Sequence, residues 1–372
     1  MNHIGLHDLV RVRATIEGRV QGVGFRPAIY RHAVNHKLVG FVRNDPGGVT
    51  IEVEGACGDV AAFFSRLRQT VPRRAEITRV LMDTLPPLGY ERFEVIASET
   101  EGAVAVELPP DLAVCDACLA ELHDHRDRRY RYPFINCVDC GPRFTIVRSL
   151  PYDRANTSMA EFALCPACAR EYGDPGDRRF HAEPNACAVC GPQLALLGND
   201  GVMLAAGETA LREAQTLIRE GAIVAVKGVG GYHLACDAFN EQAVSKLRTR
   251  KNRPYKALAV MFRDVSAVRG YFNPSAEELE ELVSPARPIV VLDGRLPGKT
   301  GSLISPDTCD TGVFLPYAPL HHLLLEEFEA LVLTSGNRLE EPIAQDESQA
   351  LSLIRMGIAD AALAHNRAIH HR

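Results

Sequence analysis

The chain has 372 residues, 46% of them hydrophobic and 24% charged, with a net charge of −6. That length suggests roughly two to three domains, each with material for a core, in an ordinary globular composition. The acidic balance gives no global electrostatic case for nucleic acid or acidic membranes. No run is long and apolar enough to span a bilayer, and Met1–Arg13 lacks the apolar core of a signal peptide.

The first segment, residues 8–97, opens on a strand over Arg11–Glu17, followed by the loop Gly18–Arg26. A helix is predicted from Pro27 to near Gly40, with Ile29, Tyr30, Ala33 and Val34 as its apolar stripe. Phe41–Asn44 and Val49–Glu54 read as a hairpin around Asp45-Pro46-Gly47-Gly48. A second helix over Asp59–Thr70 places Val60, Phe63, Phe64 and Leu67 on one face, and strands follow at Ile77–Met82 and Phe93–Ile96. This βαββαβ order is that of a split, ferredoxin-like sandwich. In the loop Gln21-Gly22-Val23-Gly24-Phe25, the glycines let several N–H groups turn inward as a nest for phosphate, and the helix N-terminus favours negative charge. Arg26 offers a fork for phosphate oxygens, and Asn44 at the end of the next strand offers an amide to orient water. Taken alone, such a loop reads rather as a plain tight turn with a surface arginine.

Residues 98–111 are a linker ending in Pro109-Pro110, and the segment 112–197 holds eight of the eleven cysteines. They form four CxxC pairs: Cys115/Cys118, Cys137/Cys140, Cys165/Cys168 and Cys187/Cys190, separated by 18, 24 and 18 residues. The second half copies the first at an offset of 50, with Asp124, Asp127, Arg128, Arg129, Gly141 and Pro142 recurring as Asp174, Asp177, Arg178, Arg179, Gly191 and Pro192. A duplicated C-x2-C-x18-C-x2-C unit is what two tetrahedral, all-sulfur zinc sites require, with no coordination position left open for catalysis. Sequential pairing (Cys115–Cys140, then Cys165–Cys190) follows the repeat, while interleaving of the knuckles stays open. A disulfide framework fits poorly with the absence of a secretory signal, and Cys57, Cys236 and Cys309 are unpaired by pattern, as in a reducing cytoplasm. His123, His125 and His181 fall between knuckles whose ligand sets are already full. The repeated Asp and Arg residues read as salt-bridged scaffolding.

The third segment, residues 205–372, starts with an amphipathic helix over Thr209–Glu220 and a buried strand over Ala222–Val226, followed by Lys227-Gly228-Val229-Gly230-Gly231-Tyr232. Further strands at Ala257–Phe262, Ile289–Leu292 and Leu331–Thr334, with helices between them, predict a twisted α/β sheet of largely parallel character. Lys227, Lys251, Arg253 and Lys256, together with Thr334-Ser335-Gly336-Asn337 after a strand, supply charges, hydroxyls and an amide where open α/β sheets bind nucleotides. Arg248 reads instead as part of a solvated charged face, and His321 and His322 as packed or capping residues. The basic, aromatic run Arg126–Tyr132 supports a rival reading as a zinc-containing nucleic-acid binder.

Gly18-x-Val20-Gln21-Gly22-Val23-x-Phe25-Arg26, with Asn44 and Asp45-Pro46-Gly47-Gly48, resembles the acylphosphatase family over about 90 residues. That resemblance implies that Arg26 binds a phosphoryl group and Asn44 positions water, in metal-free hydrolysis of a carboxyl–phosphate anhydride. Lys251-x-Arg253 with Lys256, then Thr334-Ser335-x-Asn337, resembles the YrdC-like domain, which implies a site for ATP, with Mg2+, and a carbamate-type carboxylate joined as a carboxyl–adenylate. The stretch Lys227–Leu234 departs from the proline- and threonine-rich version of stand-alone members. Some of these modify tRNA, which adds to the nucleic-acid rival. The order of the three segments is similar to that of hydrogenase maturation carbamoyltransferases, as are Lys227–Asp237, Gly312–Leu324 and His365-Asn366-Arg367. The expected architecture is therefore an α+β multidomain chain: acylphosphatase sandwich, tandem zinc knuckles, YrdC-like sheet. The resemblance implies carbamoyl phosphate and ATP as substrates and the C-terminal cysteine of the protein HypE as acceptor. The family's transfer domain is not matched here, so hydrolysis and adenylation are expected without transfer to HypE.

Overall fold

The computed structural model describes residues 9–102, 106–338 and 341–371; the bounding positions Asp8 and Arg372 and linker residues 103–105 lie outside them. The chain divides into two compact units. The first comprises Met1–Pro110, Asn136–Asp139 and Ile146–Asn185, the second Asp111–Ile135, Cys140–Thr145 and Ala186–Arg372.

In the first unit, β1 (Leu9–Arg19), β2 (Val39–Asp45), β3 (Gly48–Ala56), β4 (Glu76–Leu85) and β5 (Phe93–Val95) form one sheet in the order β4-β1-β3-β2-β5. Only β2 and β5 run parallel. The helices α1 (Phe25–Asn35) and α2 (Cys57–Thr70) share one core with the sheet, in which Ala14, Ile16, Ile51 and Val53 meet Ile29, Phe63 and Leu67. Phe63 is fully buried, and burial of such a side chain contributes about 1.5–3 kcal/mol. α1 begins two residues before Pro27, which therefore sits in the first turn, where a missing N–H costs nothing. It ends at Asn35, short of the predicted Gly40, because Lys37 adopts a left-handed φ of 55° and Gly40 is already in β2. Its buried stripe is rotated from the predicted one: His32 is buried and Val34 is 48% exposed.

The second unit is built on a nine-stranded sheet. Its strands are β6 (Leu194–Leu197), β7 (Met203–Ala206), β8 (Val224–Lys227), β9 (Tyr232–Asp237), β10 (Val260–Phe262), β11 (Val290–Asp293), β12 (Asp310–Phe314), β13 (Ala330–Ser335) and β14 (Ala361–His365). Their order is β11-β12-β10-β13-β9-β8-β14-β6-β7. Only β10–β12 and β14–β8 are parallel, so the sheet is mainly antiparallel, contrary to the expectation from alternating strands and helices. Strand–helix alternation does not set strand direction. Here the four-residue link Gly228–Gly231 folds β8 straight back on β9. The predicted amphipathic helix spans Gly207–Arg219 and buries Ala210, Leu211, Ala214 and Ile218 at helical spacing.

Candidate functional site

The loop between β1 and α1 carries the first group of site residues. Gly22 and Gly24 have φ of 68° and 78°, left-handed values that cost glycine nothing, and Gly24 is the N-cap of α1. Val23 and Phe25 are buried beneath the loop. Gln21 fastens the loop to the β2–β3 hairpin: its Nε2 donates to the carbonyls of Asp45 and Gly48, both at 2.7 Å. Its Oε1 accepts the Tyr152 N–H at 2.8 Å. Asn44 is 1% exposed, and its Nδ2 donates to the Tyr152 carbonyl at 3.2 Å while Oδ1 is buried with no partner among the described residues. Arg26 Nη2 approaches the same carbonyl at 3.5 Å, so Arg26 and Asn44 converge on one point although 18 residues separate them.

Sequence reasoning missed what holds Arg26. Its Nη1 donates to Asp153 Oδ1 at 2.8 Å and its Nη2 to Glu183 Oε1 at 2.7 Å. Burial alone would depress the guanidinium, but Glu183 and Asp153 outweigh it and hold the group above its ordinary range. Glu183 Oε2 accepts the Tyr172 hydroxyl at 2.7 Å and the Arg154 N–H at 2.8 Å. Burial, then Arg26, pushes His181 down to about 4, so it is neutral at pH 7. The acids lie 127 and 157 residues from Arg26; no local pattern in the sequence announces them.

The eight cysteines gather as Cys115, Cys118, Cys137 and Cys140 and as Cys165, Cys168, Cys187 and Cys190, which settles the sequential over the interleaved pairing. Within each set the sulfurs lie within 4.8 Å of one another, with Cys118–Cys140 at 3.6 Å and Cys187–Cys190 at 3.8 Å. An edge of about 3.8 Å is what a tetrahedron of 2.3 Å metal–sulfur arms requires, so both donor sets fit zinc. The first cysteine of each repeat caps a short helix, Asp116–His123 in one and Pro166–Gly173 in the other. The scaffold arginines act partly on backbone: Arg129 donates to the Ala186 carbonyl and Arg179 to that of Asn136. Arg131 is ion-paired to Glu208 and Glu326, and Tyr132 is buried. Of the run Arg126–Tyr132, Arg126, Arg128 and Tyr130 stay exposed, so the basic, aromatic surface available for a nucleic-acid reading is reduced to those three residues.

At the end of β13, Lys251 Nζ donates to Asn337 Oδ1 at 3.0 Å and to the Ser335 carbonyl, while Ser335 Oγ donates to Asn337 Oδ1 at 2.8 Å. Arg253 Nη1 donates to Thr334 Oγ1 at 3.0 Å. Gly336 is required by close approach, since a Cβ there would lie 2.6 Å from the Tyr232 carbonyl. Lys251, Arg253, Lys256, Ser335 and Asn337 line one cavity of about 300 Å³. Burial first, then Arg253 and Lys256, pushes Lys251 down to about 8. Arg248 is not the solvated residue expected: it is 8% exposed and donates to the Arg253, Pro254 and Lys256 carbonyls, shaping the loop that carries the cluster. Lys227 is one strand away at the same sheet end, opposite Tyr232 as Ser335 is opposite His233, but does not join this cavity. Its ammonium donates to the His365 and Arg367 carbonyls at 2.9 and 3.0 Å, and burial, then Arg367, pushes it down to about 8. His321 is fully buried with neither ring nitrogen bonded, a packed histidine as expected.

Three family descriptions match the chain: acylphosphatase over residues 12–95, HypF finger over 114–147 and 164–197, and telomere recombination (the Sua5, YciO and YrdC group) over 216–372. Carbamoyltransferase HypF of Synechocystis sp. is 46% identical over 362 residues, covering 97% of this chain and 47% of the relative. That of Rhizobium leguminosarum bv. viciae is 48% identical over 367 residues, covering 96% and 46%. A crystal structure of full-length HypF in the phosphate- and nucleotide-bound form superposes with a TM-score of 0.92 at 44% identity, covering 98% of this chain and 47% of the other. The chain thus spans about half the length of the relatives it matches. Among the described residues, no helix is long and apolar enough to cross a membrane.

Proposed function

The chain belongs to the family of HypF carbamoyltransferases, whose amino-terminal half it matches, and from that membership we propose that it performs two consecutive steps of nickel–iron hydrogenase maturation. In the first, water hydrolyses carbamoyl phosphate to carbamate and phosphate at the Arg26/Asn44 site. In the second, carbamate attacks ATP at the Lys251/Arg253 cavity, forming carbamoyl adenylate and releasing pyrophosphate. Delivery of the carbamoyl group to the HypE C-terminal cysteine is the step these products would feed. The functional parts are residues 8–97, 112–197 and 205–372, joined through the linker 98–111. The reading also places the chain in the cytoplasm.

The observation that carries the first step is the convergence of Arg26 and Asn44 on the Tyr152 carbonyl, beside a loop whose left-handed glycines precede a helix N-terminus. A loose phosphoryl transition state needs charge stabilisation and alignment more than a strong nucleophile. Arg26 and the loop N–H groups supply the first, and Asn44 Oδ1, a buried acceptor, would align the attacking water. For the second step, Lys251, Arg253 and Lys256 would offset the repulsion between triphosphate, with its Mg2+, and carboxylate, while Thr334, Ser335 and Asn337 orient them. Lys227, outside that cavity, would contribute a further positive charge for the carbamate from the neighbouring strand end. The two thiolate sets would hold structural zinc, closing each repeat without taking part in chemistry. Phosphate and pyrophosphate release from carbamoyl phosphate, with and without ATP, tests the whole reading. Arg26-dependent phosphate and ATP-dependent pyrophosphate are expected; the absence of both would overturn it.

A further inference from the structure

The Arg26 site contains two carboxylates for which hydrolysis of an acyl phosphate has no evident need. A negative charge beside the guanidinium competes with the phosphoryl group for it and repels the phosphoryl oxygens, so carboxylates kept there require another benefit. The two acids differ in what they still offer. Glu183 is 1% exposed and fully spent, with Oε1 on Arg26 and Oε2 on the Tyr172 hydroxyl and Arg154 N–H. It is a positioning residue that fixes one arm of the guanidinium. Asp153 has a side chain 25% exposed, with Oδ1 on Arg26 Nη1 at 2.8 Å and Oδ2 without a hydrogen-bond partner among the described residues. Beside it, the Tyr152 carbonyl anchors Asn44, whose Oδ1 is a second acceptor buried with nothing donating to it. The site therefore presents two acceptors open to a ligand, the buried Asn44 Oδ1 and the partly exposed, charged Asp153 Oδ2, next to the group that would grip phosphate.

Acyl phosphates differ at the acyl carbon. Carbamoyl phosphate carries an amino group with two N–H donors, whereas acetyl phosphate presents a methyl group in the same volume. We propose that Asp153 selects the acyl group: with Oδ1 held on Arg26, its Oδ2 accepts an N–H of the carbamoyl amino group. This deepens the hydrolase reading given above and rests on it. A methyl group in that place would offer Oδ2 no donor and leave its charge facing a phosphoryl dianion. Sites built to bond an N–H reject the analogue lacking it more strongly than apolar pockets reject an extra methylene. The selectivity is supplied by the cysteine-rich segment, since Asp153 lies between the two repeats and not in residues 9–95.

The test compares kcat/KM for carbamoyl phosphate and acetyl phosphate in the 372-residue chain and in the variants Asp153→Asn and Asp153→Ala. Asparagine keeps the shape but turns an N–H toward the substrate amino group; alanine removes the acceptor altogether. Both variants are expected to lower the carbamoyl-to-acetyl ratio by about tenfold or more, the scale of one charged hydrogen bond. Turnover of acetyl phosphate rises as the competing charge is removed. A ratio unchanged in both variants, with Arg26-dependent hydrolysis retained, would overturn the role of Asp153 and leave the hydrolase reading standing. If the unaltered chain hydrolyses neither compound in an Arg26-dependent way, the hydrolase reading fails and the selector role with it.

Discussion

Replacing Glu183 by alanine probes the least expected feature of the first unit, a buried ion pair beside the loop that precedes α1. Arg26 is 8% exposed and Glu183 1%, so neither charge is recovered by water when its partner is lost. Breaking a buried pair costs about 3–5 kcal/mol, because a desolvated charge is left uncompensated. Asp153 still holds Nη1 from a position 25% exposed, which places the ion-pair loss near the lower figure. The Tyr172 hydroxyl loses its acceptor as well, adding about 1 kcal/mol. The expected destabilisation is therefore about 4 kcal/mol, and less for Glu183→Gln, which can still accept from Tyr172. Because the chain has two units, a single global unfolding free energy is not well defined. Native-state hydrogen exchange of the amides in β1–β4 and residues 152–183 reads the local loss directly. A double-mutant cycle with Arg26→Ala isolates the pair, with an expected coupling of about 2 kcal/mol or more. The coupling should be nearly insensitive to salt, as buried pairs are screened little. A loss below about 1 kcal/mol, or effects additive within about 0.5 kcal/mol, would refute the reasoning.

The same geometry makes Arg26→Ala a poor test of activity, since it strands two carboxylates. Arg26→Lys keeps a charge and is expected to lower phosphate release by about 10²–10³-fold through loss of the bidentate fork; near-normal turnover in a phosphate assay would move the site elsewhere. Cys137→Ser should reduce bound zinc from about two equivalents per chain to about one and loosen its own repeat, since zinc binding at such sites is folding free energy; elemental analysis showing no change would contradict the sulfur grouping. Nucleotide affinity should depend on Lys251. Burial has depressed its pKa to about 8, so the charged form that attracts phosphate prevails below that pH and is lost as pH rises through it. Titration calorimetry with ATP is expected to show weaker binding at pH 9 than at pH 7. A flat profile would mean that Lys251 does not contact the phosphates.

The cysteine-rich segment was legible because a thiolate knuckle is a local object. Two cysteines three positions apart define it, and the 50-residue repeat narrowed the grouping of knuckles until folding had only to choose between the sequential and interleaved pairings. The loop before α1 was legible for a similar reason: glycines needed at φ of 68° and 78°, with an arginine two positions after the second, leave a recognisable trace from Gln21 to Arg26. The Lys251/Arg253 and Ser335/Asn337 motifs were likewise visible as fragments, and β13 with the Gly336 turn brings them to one cavity. Tertiary structure alone decided the rest. Strand direction in the second sheet depends on pairings between distant strands, and an apolar run looks the same whether its neighbour runs parallel or antiparallel. Arg248 read as a surface charge because its acceptors are carbonyls, which every residue carries and no sequence distinguishes. Nothing local in the sequence sets Asp153 and Glu183 apart from the other acids of their segment. Only folding across more than a hundred residues aims them at Arg26, where the loss of water turns two common side chains into the strongest electrostatic partners of the site.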